Sequence, residues 1–169
     1  RVTKLDEMIE NELSFFHNTH LELRLQEIGP IIRSAIQETE PIIQENKTDV
    51  RVDLPPTVPL IRVNSEKMRM VFVNLIRNAC QAIRDDGKIA IKMRFKNKIV
   101  ITLEDNGCGI PHGNLDRVFE PFFTTKPHGL GLGLMNARNI VEEHNGTIQV
   151  NSKMGSGTTF VIELPIGET

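Results

Sequence analysis

The sequence is poor in the features that mark several common kinds of protein. It has two cysteines in 169 residues, Cys80 and Cys108, too few for a disulfide framework, so a reducing cytoplasm is the expected setting. No stretch approaches the roughly 18 consecutive apolar residues that a membrane-spanning helix needs. No signal peptide is recognisable either, and these residues are expected to make no membrane contact. Neither sign of charge dominates. There are 20 Lys and Arg against 22 Asp and Glu, a net charge of −2, which argues against nucleic acid as a partner. Tryptophan and tyrosine are absent, so eight phenylalanines make up the aromatic complement. Three of them, Phe119, Phe122 and Phe123, crowd into one short stretch. There is no internal repeat and no low-complexity segment.

What is present is a globular balance, 39% hydrophobic and 25% charged, with length for one domain and an extra element. Leu5, Met8, Ile9, Leu13 and Phe16 recur at helical spacing over 4–16. They predict either an amphipathic helix docked on its own domain or one cut from a coiled coil or four-helix dimerisation bundle. The helical pattern is already running at Arg1, which predicts a piece of a longer protein. His17 and His20 could share a face but lack a third ligand for a metal.

Alternation over Leu21–Leu25 suits a short strand or an extended linker. Pro30 suits the first turn of a helix carrying Ile31, Ile32, Ala35, Ile36, Ile42 and Ile43, and Pro41 predicts a break or kink near residue 40. Residues 48–54 read as a strand, and Pro55, Pro56 and Pro59 as a rigid connection. A helix over 65–84, capped by Asn64 or Ser65, buries Met68, Val71, Phe72, Leu75, Ile76, Ala79 and Ile83. Lys88–Phe95 and Lys98–Glu104 form a hairpin about Lys96-Asn97. A helix over 133–144 and strands at Thr147–Asn151 and Thr158–Leu164 complete an α+β two-layer sandwich with a mainly antiparallel or mixed sheet.

Three groups of residues could carry chemistry. Asn74 and Asn78, with Gln81, share a face of the 65–84 helix away from its apolar stripe. Amide oxygens there suit a hard cation such as Mg²⁺, or are simply solvated. Asp105 ends an apolar strand ahead of Gly107 and Gly109. A carboxylate only accepts, so it would pair with the exocyclic amino group of adenine and not with the carbonyl of guanine. The glycines would let backbone approach a flat ring or take positive φ, and a plain turn reads equally well. Gly129, Gly131 and Gly133 alternate with Leu130, Leu132 and Leu134 ahead of a helix. Its free N–H groups would face phosphate oxygens; the alternative is that the glycines form only a hinge. The spacing is neither a P-loop nor a dinucleotide fingerprint. Between these groups, Phe119, Phe122 and Phe123 with Thr124, Thr125 and Lys126 read as a hinged lid or a satellite apolar cluster.

Taken in order, these segments resemble the catalytic, ATP-binding domain of bacterial sensor histidine kinases over residues 64–165. The segments are Asn74–Ala79, Asp105–Pro111, Phe119–Lys126, Gly129–Leu134 and Gly155–Phe160. That domain belongs to the superfamily of gyrase-type, mismatch-repair and chaperone ATPases. The resemblance implies a Bergerat-type ATP pocket in an α/β sandwich. Asn78 would hold Mg²⁺ with Asn74 beside it, Asp105 would bind adenine, and Lys126 would join Asn74 and Asn78 in catalysis. The nucleotide would also meet Gly107, Gly109, Ile110, Thr124, Thr125, Gly129, Leu130, Gly131, Leu132, Gly133 and Thr158. Residues 1–28 would be the end of the second helix of a dimerisation hairpin plus a linker, and 29–169 the catalytic domain. The implied partners are a second copy, through the hairpin, and a response-regulator receiver domain. Neither His17 nor His20 has the sequence context of the phosphorylated histidine, which would lie on the first hairpin helix. Gln81 and Ala82 stand where many members have Lys and an aromatic residue, as in the nitrogen-regulator subgroup, so Lys126, Arg77 and Arg84 become the candidate phosphate cations. Leu130 stands where Thr is common, and Asn64 where Asp is common. In the related ATPases a Glu activates water four residues before the metal-binding Asn. Here that position is Asn74, an amide that cannot act as a base, so phosphoryl transfer is expected rather than fast hydrolysis.

Overall fold

The computed structural model describes residues 21–127 and 129–167. The helix expected over 4–16, with His17 and His20, lies outside them. The described chain is a two-layer α+β sandwich, as the sequence patterns predict. Seven strands are β1 (Arg24–Gln26), β2 (Asp49–Asp53), β3 (Ile61–Val63), β4 (Lys88–Phe95), β5 (Lys98–Asp105), β6 (Thr147–Lys153) and β7 (Gly157–Pro165). Three helices are α1 (Ile28–Glu45), α2 (Ser65–Ala82) and α3 (Gly133–Glu143). Five strands form one mixed sheet in the order β2-β4-β5-β7-β6, with β2 and β4 parallel and every other pair antiparallel.

The two-residue period of the strands makes the sheet one-sided. Ile89, Ile91 and Met93 on β4, Ile99, Ile101 and Leu103 on β5, and Phe160, Ile162 and Leu164 on β7 all point into the core. The helices cover that face, with α2 lying between α1 and α3 and packed against both. Met68, Val71, Phe72, Leu75, Ile76 and Ala79 of α2 are sealed beneath, the stripe that its helical period predicts. At the end of the sheet the parity continues but the chemistry changes. The next buried-face residue after Leu103 is Asp105, and its partner on β7 is Thr158. The sheet therefore delivers one carboxylate and one hydroxyl to the space beneath α2, where elsewhere it delivers only hydrocarbon.

Three local details differ from the sequence reading. Helix α1 starts at Ile28, places Pro30 in its first turn and runs on past Pro41 without a break. Pro41 stands exposed, where water can serve the carbonyl that loses its partner. Residues 61–63 form a strand that the prolines around it conceal; it pairs antiparallel with Arg24–Gln26, so the expected linker is fastened to the sandwich by a second, two-stranded sheet. Strand β5 extends one residue further than expected, to include Asp105.

A buried histidine joins two helix ends. Asn64 caps α2, its Oδ1 accepting from the Lys67 N–H at 3.0 Å. The Asn64 backbone N–H donates to His144 Nε2 at 3.0 Å, while His144 Nδ1 lies 2.6 Å from the Ile140 carbonyl at the end of α3. The ring is therefore neutral, with its proton on Nδ1. Burial holds its pKa below the ordinary 6.5, and the Ile140 carbonyl and Glu143 oppose this only in part. A proton binds the unfolded chain first, so this contribution is complete above about pH 6.5 and is lost as pH falls through the lower folded value. Between about pH 8 and pH 5, the urea midpoint should fall as this histidine titrates. The slope from this one group is at most about 1.4 kcal/mol per pH unit. His144→Gln should flatten that dependence; an unchanged slope in the variant would remove His144 as its source.

Candidate nucleotide-binding site

The residues singled out in the sequence gather at the end of the sheet where β5 and β7 meet α2 and α3. Asp105 is 8% exposed, and its Oδ1 accepts from the Gly107 N–H at 2.8 Å. Burial pushes its pKa up, against the pull of the Gly107 and Thr158 backbone N–H groups and the Lys126 charge. A buried carboxylate with acceptor capacity to spare calls for a donor from outside.

Two glycines allow close approaches of backbone to backbone at this end of the sheet. At Gly157, with φ of 98°, a Cβ would lie 1.9 Å from the Asp105 carbonyl oxygen. At Gly109, with φ of 76°, it would lie 2.3 Å from the Lys153 carbonyl oxygen. Only glycine satisfies both the backbone angle and the clearance. Gly107 lies close against helix α2. Its missing Cβ would fall 2.8 Å from the backbone of Ala82, and the Cys108 N–H donates to the Ala82 carbonyl at 2.9 Å. The loop is thus closed against the end of α2, and small residues on both sides allow it.

Helix α2 contributes its polar face. Asn74 Nδ2 donates to the carbonyl of Gly133 at 3.2 Å, tying α2 to the first residue of α3. One turn on, Asn78 Oδ1 accepts from Lys126 Nζ at 3.1 Å, and Gln81 Oε1 accepts from the same nitrogen at 2.6 Å. Burial lowers the Lys126 pKa, with Cys108 and Asp105 opposing. Lys126 therefore bonds to Asn78, and its charge and that of Asp105 act on each other.

The lid folds around Lys126. Thr124 Oγ1 accepts from the Lys126 backbone N–H at 3.0 Å, and a Cβ on Gly129 would meet that hydroxyl at 2.7 Å. Phe122 N–H donates to the Gly131 carbonyl at 3.0 Å. Gly131 has φ of 69°, and a Cβ there would meet Phe122 backbone at 2.6 Å. Thr125 is exposed beside them. The three phenylalanines do not act together. Phe119 packs on the core and edge-on to Phe160, with ring centroids 6.4 Å apart. Arg117 covers Phe123, its guanidinium 4.5 Å from the ring centroid. Phe122 is 71% exposed. Beyond the glycines, Leu132 is buried and immediately precedes α3, and its side chain does not cap the helix, so the first N–H groups of α3 receive no hydrogen bond from it. Leu130 is half-buried.

One polar residue escaped the sequence reading. Ser152 Oγ receives the Ile110 N–H at 2.8 Å, donates to the Gly157 carbonyl at 2.8 Å, and lies 2.9 Å from Thr158 Oγ1. It anchors the loop after Asp105 to the last two strands. A serine between Asn151 and Lys153 on an edge strand carries no spacing signal, so nothing in the sequence marks it.

The donor set also bears on a metal. No group of three or more His, Cys, Asp or Glu suited to a metal occurs among the described residues. What the site offers is an amide oxygen, Asn78 Oδ1, already turned to a cation in the form of the Lys126 ammonium. One protein oxygen with the remainder from phosphate and water suits Mg²⁺.

Residues 63–168 match the model of the histidine kinase-, DNA gyrase B- and HSP90-like ATPases. The chain belongs to this ATPase family. Within it, the chain is homologous to sensor histidine kinases. It is 35% identical over 167 residues to the sensor histidine kinase ZraS of Escherichia coli strain K12, covering 98% of this chain and 36% of that protein. The chain thus spans about a third of the curated relative it matches. Among solved structures, the catalytic domain of the histidine kinase ThkA superposes with a TM-score of 0.78 at 28% identity, over 86% of this chain and 97% of that one. ThkA in complex with the response regulator protein TrrA superposes with a TM-score of 0.80 at 25% identity, over 97% of this chain and 48% of that one. The fold is the Bergerat kinase catalytic domain, and membership of this ATPase family implies use of a nucleotide. No helix among the described residues is long and apolar enough to cross a membrane.

Proposed function

We propose that this chain is the part of a sensor histidine kinase that binds Mg-ATP and passes its γ-phosphoryl group to a histidine on a dimerisation hairpin outside the chain. On this reading Asp105 accepts from the adenine amino group, and the glycine-rich stretch with the open start of α3 faces the phosphates. Mg²⁺, held by Asn78 and phosphate oxygens, would neutralise charge on the phosphates. Lys126 adds a second positive charge there. The attacking imidazole nitrogen forms a bond to the γ-phosphorus as the bond to the bridging oxygen breaks and ADP leaves. The phosphoryl group then moves to an aspartate of a response-regulator receiver domain. In the parent protein the hairpin makes a homodimer. Residues 1–28 carry its end and the linker, and 29–169 form the catalytic unit. Neither nucleic acid nor a membrane surface is engaged by this part.

The observation that carries the reading is the state of Asn74. An amide stands where a water-activating carboxylate would be needed, and its nitrogen is committed to the Gly133 carbonyl. The site can hold and polarise ATP, yet it has no base to aim water at it. The nucleophile must then come from elsewhere. The test is to supply the parent's hairpin in trans with γ-labelled ATP. Label on the hairpin that survives base and is lost in acid is the expected result. Acid-stable label would indicate a serine kinase instead, and nucleotide binding with no label at all would indicate a binding module.

A further inference from the structure

We propose that Gln81 is a positioning residue for the lid: it holds Lys126 on the oxygen of Asn78 intended for the metal, so that lid opening and Mg²⁺ entry are a single exchange of cations. This rests on the ATP reading above. The geometry behind it is specific to this chain. Asn78 and Gln81 are three residues apart on α2, so their side chains lie on one face as neighbours. Both present a carbonyl oxygen to one nitrogen, Lys126 Nζ, at 3.1 and 2.6 Å. That nitrogen comes from a lid more than forty residues away in sequence. An ammonium has three donors and no acceptor, and two of the three are used here on one helix face.

Lys126 is also the centre of the lid's own turn. Its N–H bonds to Thr124 Oγ1, its carbonyl receives the Gly129 N–H at 3.3 Å, and Phe122 N–H bonds to the Gly131 carbonyl. Pinning one side chain to α2 therefore fastens the whole turn. A metal ion bound at Asn78 Oδ1 competes with the Lys126 ammonium for the same oxygen, and two cations on one oxygen repel each other. As the metal arrives, the ammonium must leave, and it is released beside the phosphates where its charge is useful. Gln81 is exposed and outside the first layer around that metal oxygen. It sets how firmly the lysine is held and hence how much Mg²⁺ is needed to open the lid.

The first measurement needs no nucleotide. Amide hydrogen exchange at Phe122, Lys126 and Gly129 is followed in the metal-free protein and in Gln81→Met, which keeps the length of the side chain but removes the acceptor. Loss of one half-exposed charged hydrogen bond should speed exchange roughly fivefold. Lys126→Met should do at least as much, and adding Gln81→Met to it should change nothing further, because the two act as one contact. The second measurement is a Mg²⁺ titration of non-hydrolysable ATP analogue binding by calorimetry. Half-saturation in Mg²⁺ should fall in Gln81→Met by a similar roughly fivefold factor. Unchanged lid exchange in Gln81→Met, an equal effect of Gln81→Met in the Lys126→Met background, or an unmoved Mg²⁺ requirement would each overturn the proposal. If the unsubstituted chain fails to bind the analogue, the ATP reading falls, while the exchange measurement still decides the Gln81–Lys126 contact by itself.

Discussion

Replacing Asp105 by asparagine is expected to lower ATP affinity by about 100-fold or more, because it leaves a buried donor facing the adenine amino group. The thermal midpoint should stay equal to or rise above that of the unsubstituted protein. The two expectations share one cause. Asp105 continues the buried parity of β5 and is held beneath α2, so burial disfavours its charged form. A group whose pKa is raised by folding stabilises the fold at low pH and loses that contribution as pH rises through the folded value. At neutral pH its ionisation is therefore a burden on stability, and the neutral amide of nearly the same shape removes it. Asparagine can still accept the Gly107 N–H through its oxygen. Isothermal calorimetry with ATP and a thermal melt of both proteins check the pair of outcomes. Unchanged affinity would mean that the base is read elsewhere. A much lower melting temperature would mean that Asp105 is structural.

The second large effect is expected at Asn78. Asn78→Ala should lower the phosphotransfer rate by about 100-fold, the scale of losing one group that stabilises transition-state charge, and should abolish most of the gain in nucleotide affinity on adding Mg²⁺. The fold should be unaffected, since Asn78 is half-buried on the polar face of α2 and alanine is the best helix former. Mg²⁺ titrations of analogue binding, together with circular dichroism, separate the two. If the variant keeps the Mg²⁺ dependence of the parent, the metal role belongs to another residue. Asn74 gives a useful contrast. Its amide joins α2 to α3, so its removal should loosen the start of α3 and weaken nucleotide binding with or without metal.

Much of this was legible from period and spacing. The stripe of α2 places Asn74, Asn78 and Gln81 on its open face, and the alternation Ile99, Ile101, Leu103 carries straight on to Asp105. Both follow from the fixed periods of helix and strand, which are local properties of the chain. Gly109 was also readable as a point of positive φ, and it has one. Other features were hidden because their signals are short or ambiguous. Three residues of β3 behind a run of prolines are too few for a pattern. Pro41 predicts a break that the surrounding packing of α1 overrides. Gly107 serves a close approach of loop to helix, and its spacing gives no hint of which partner approaches.

The amino-acid sequence by itself determined which faces are apolar, where the carboxylate ends its strand, and which amides share a helix face, because these depend on residues within a few positions of one another. Only the tertiary structure decided that Lys126 meets Asn78 and Gln81, that Ser152 fastens the loop after Asp105, and that Phe119 packs inward while Phe122 does not. Those pairings join residues separated by about forty positions or more, or depend on how a loop turns. They are set by the packing of helices on the sheet, which no local period encodes.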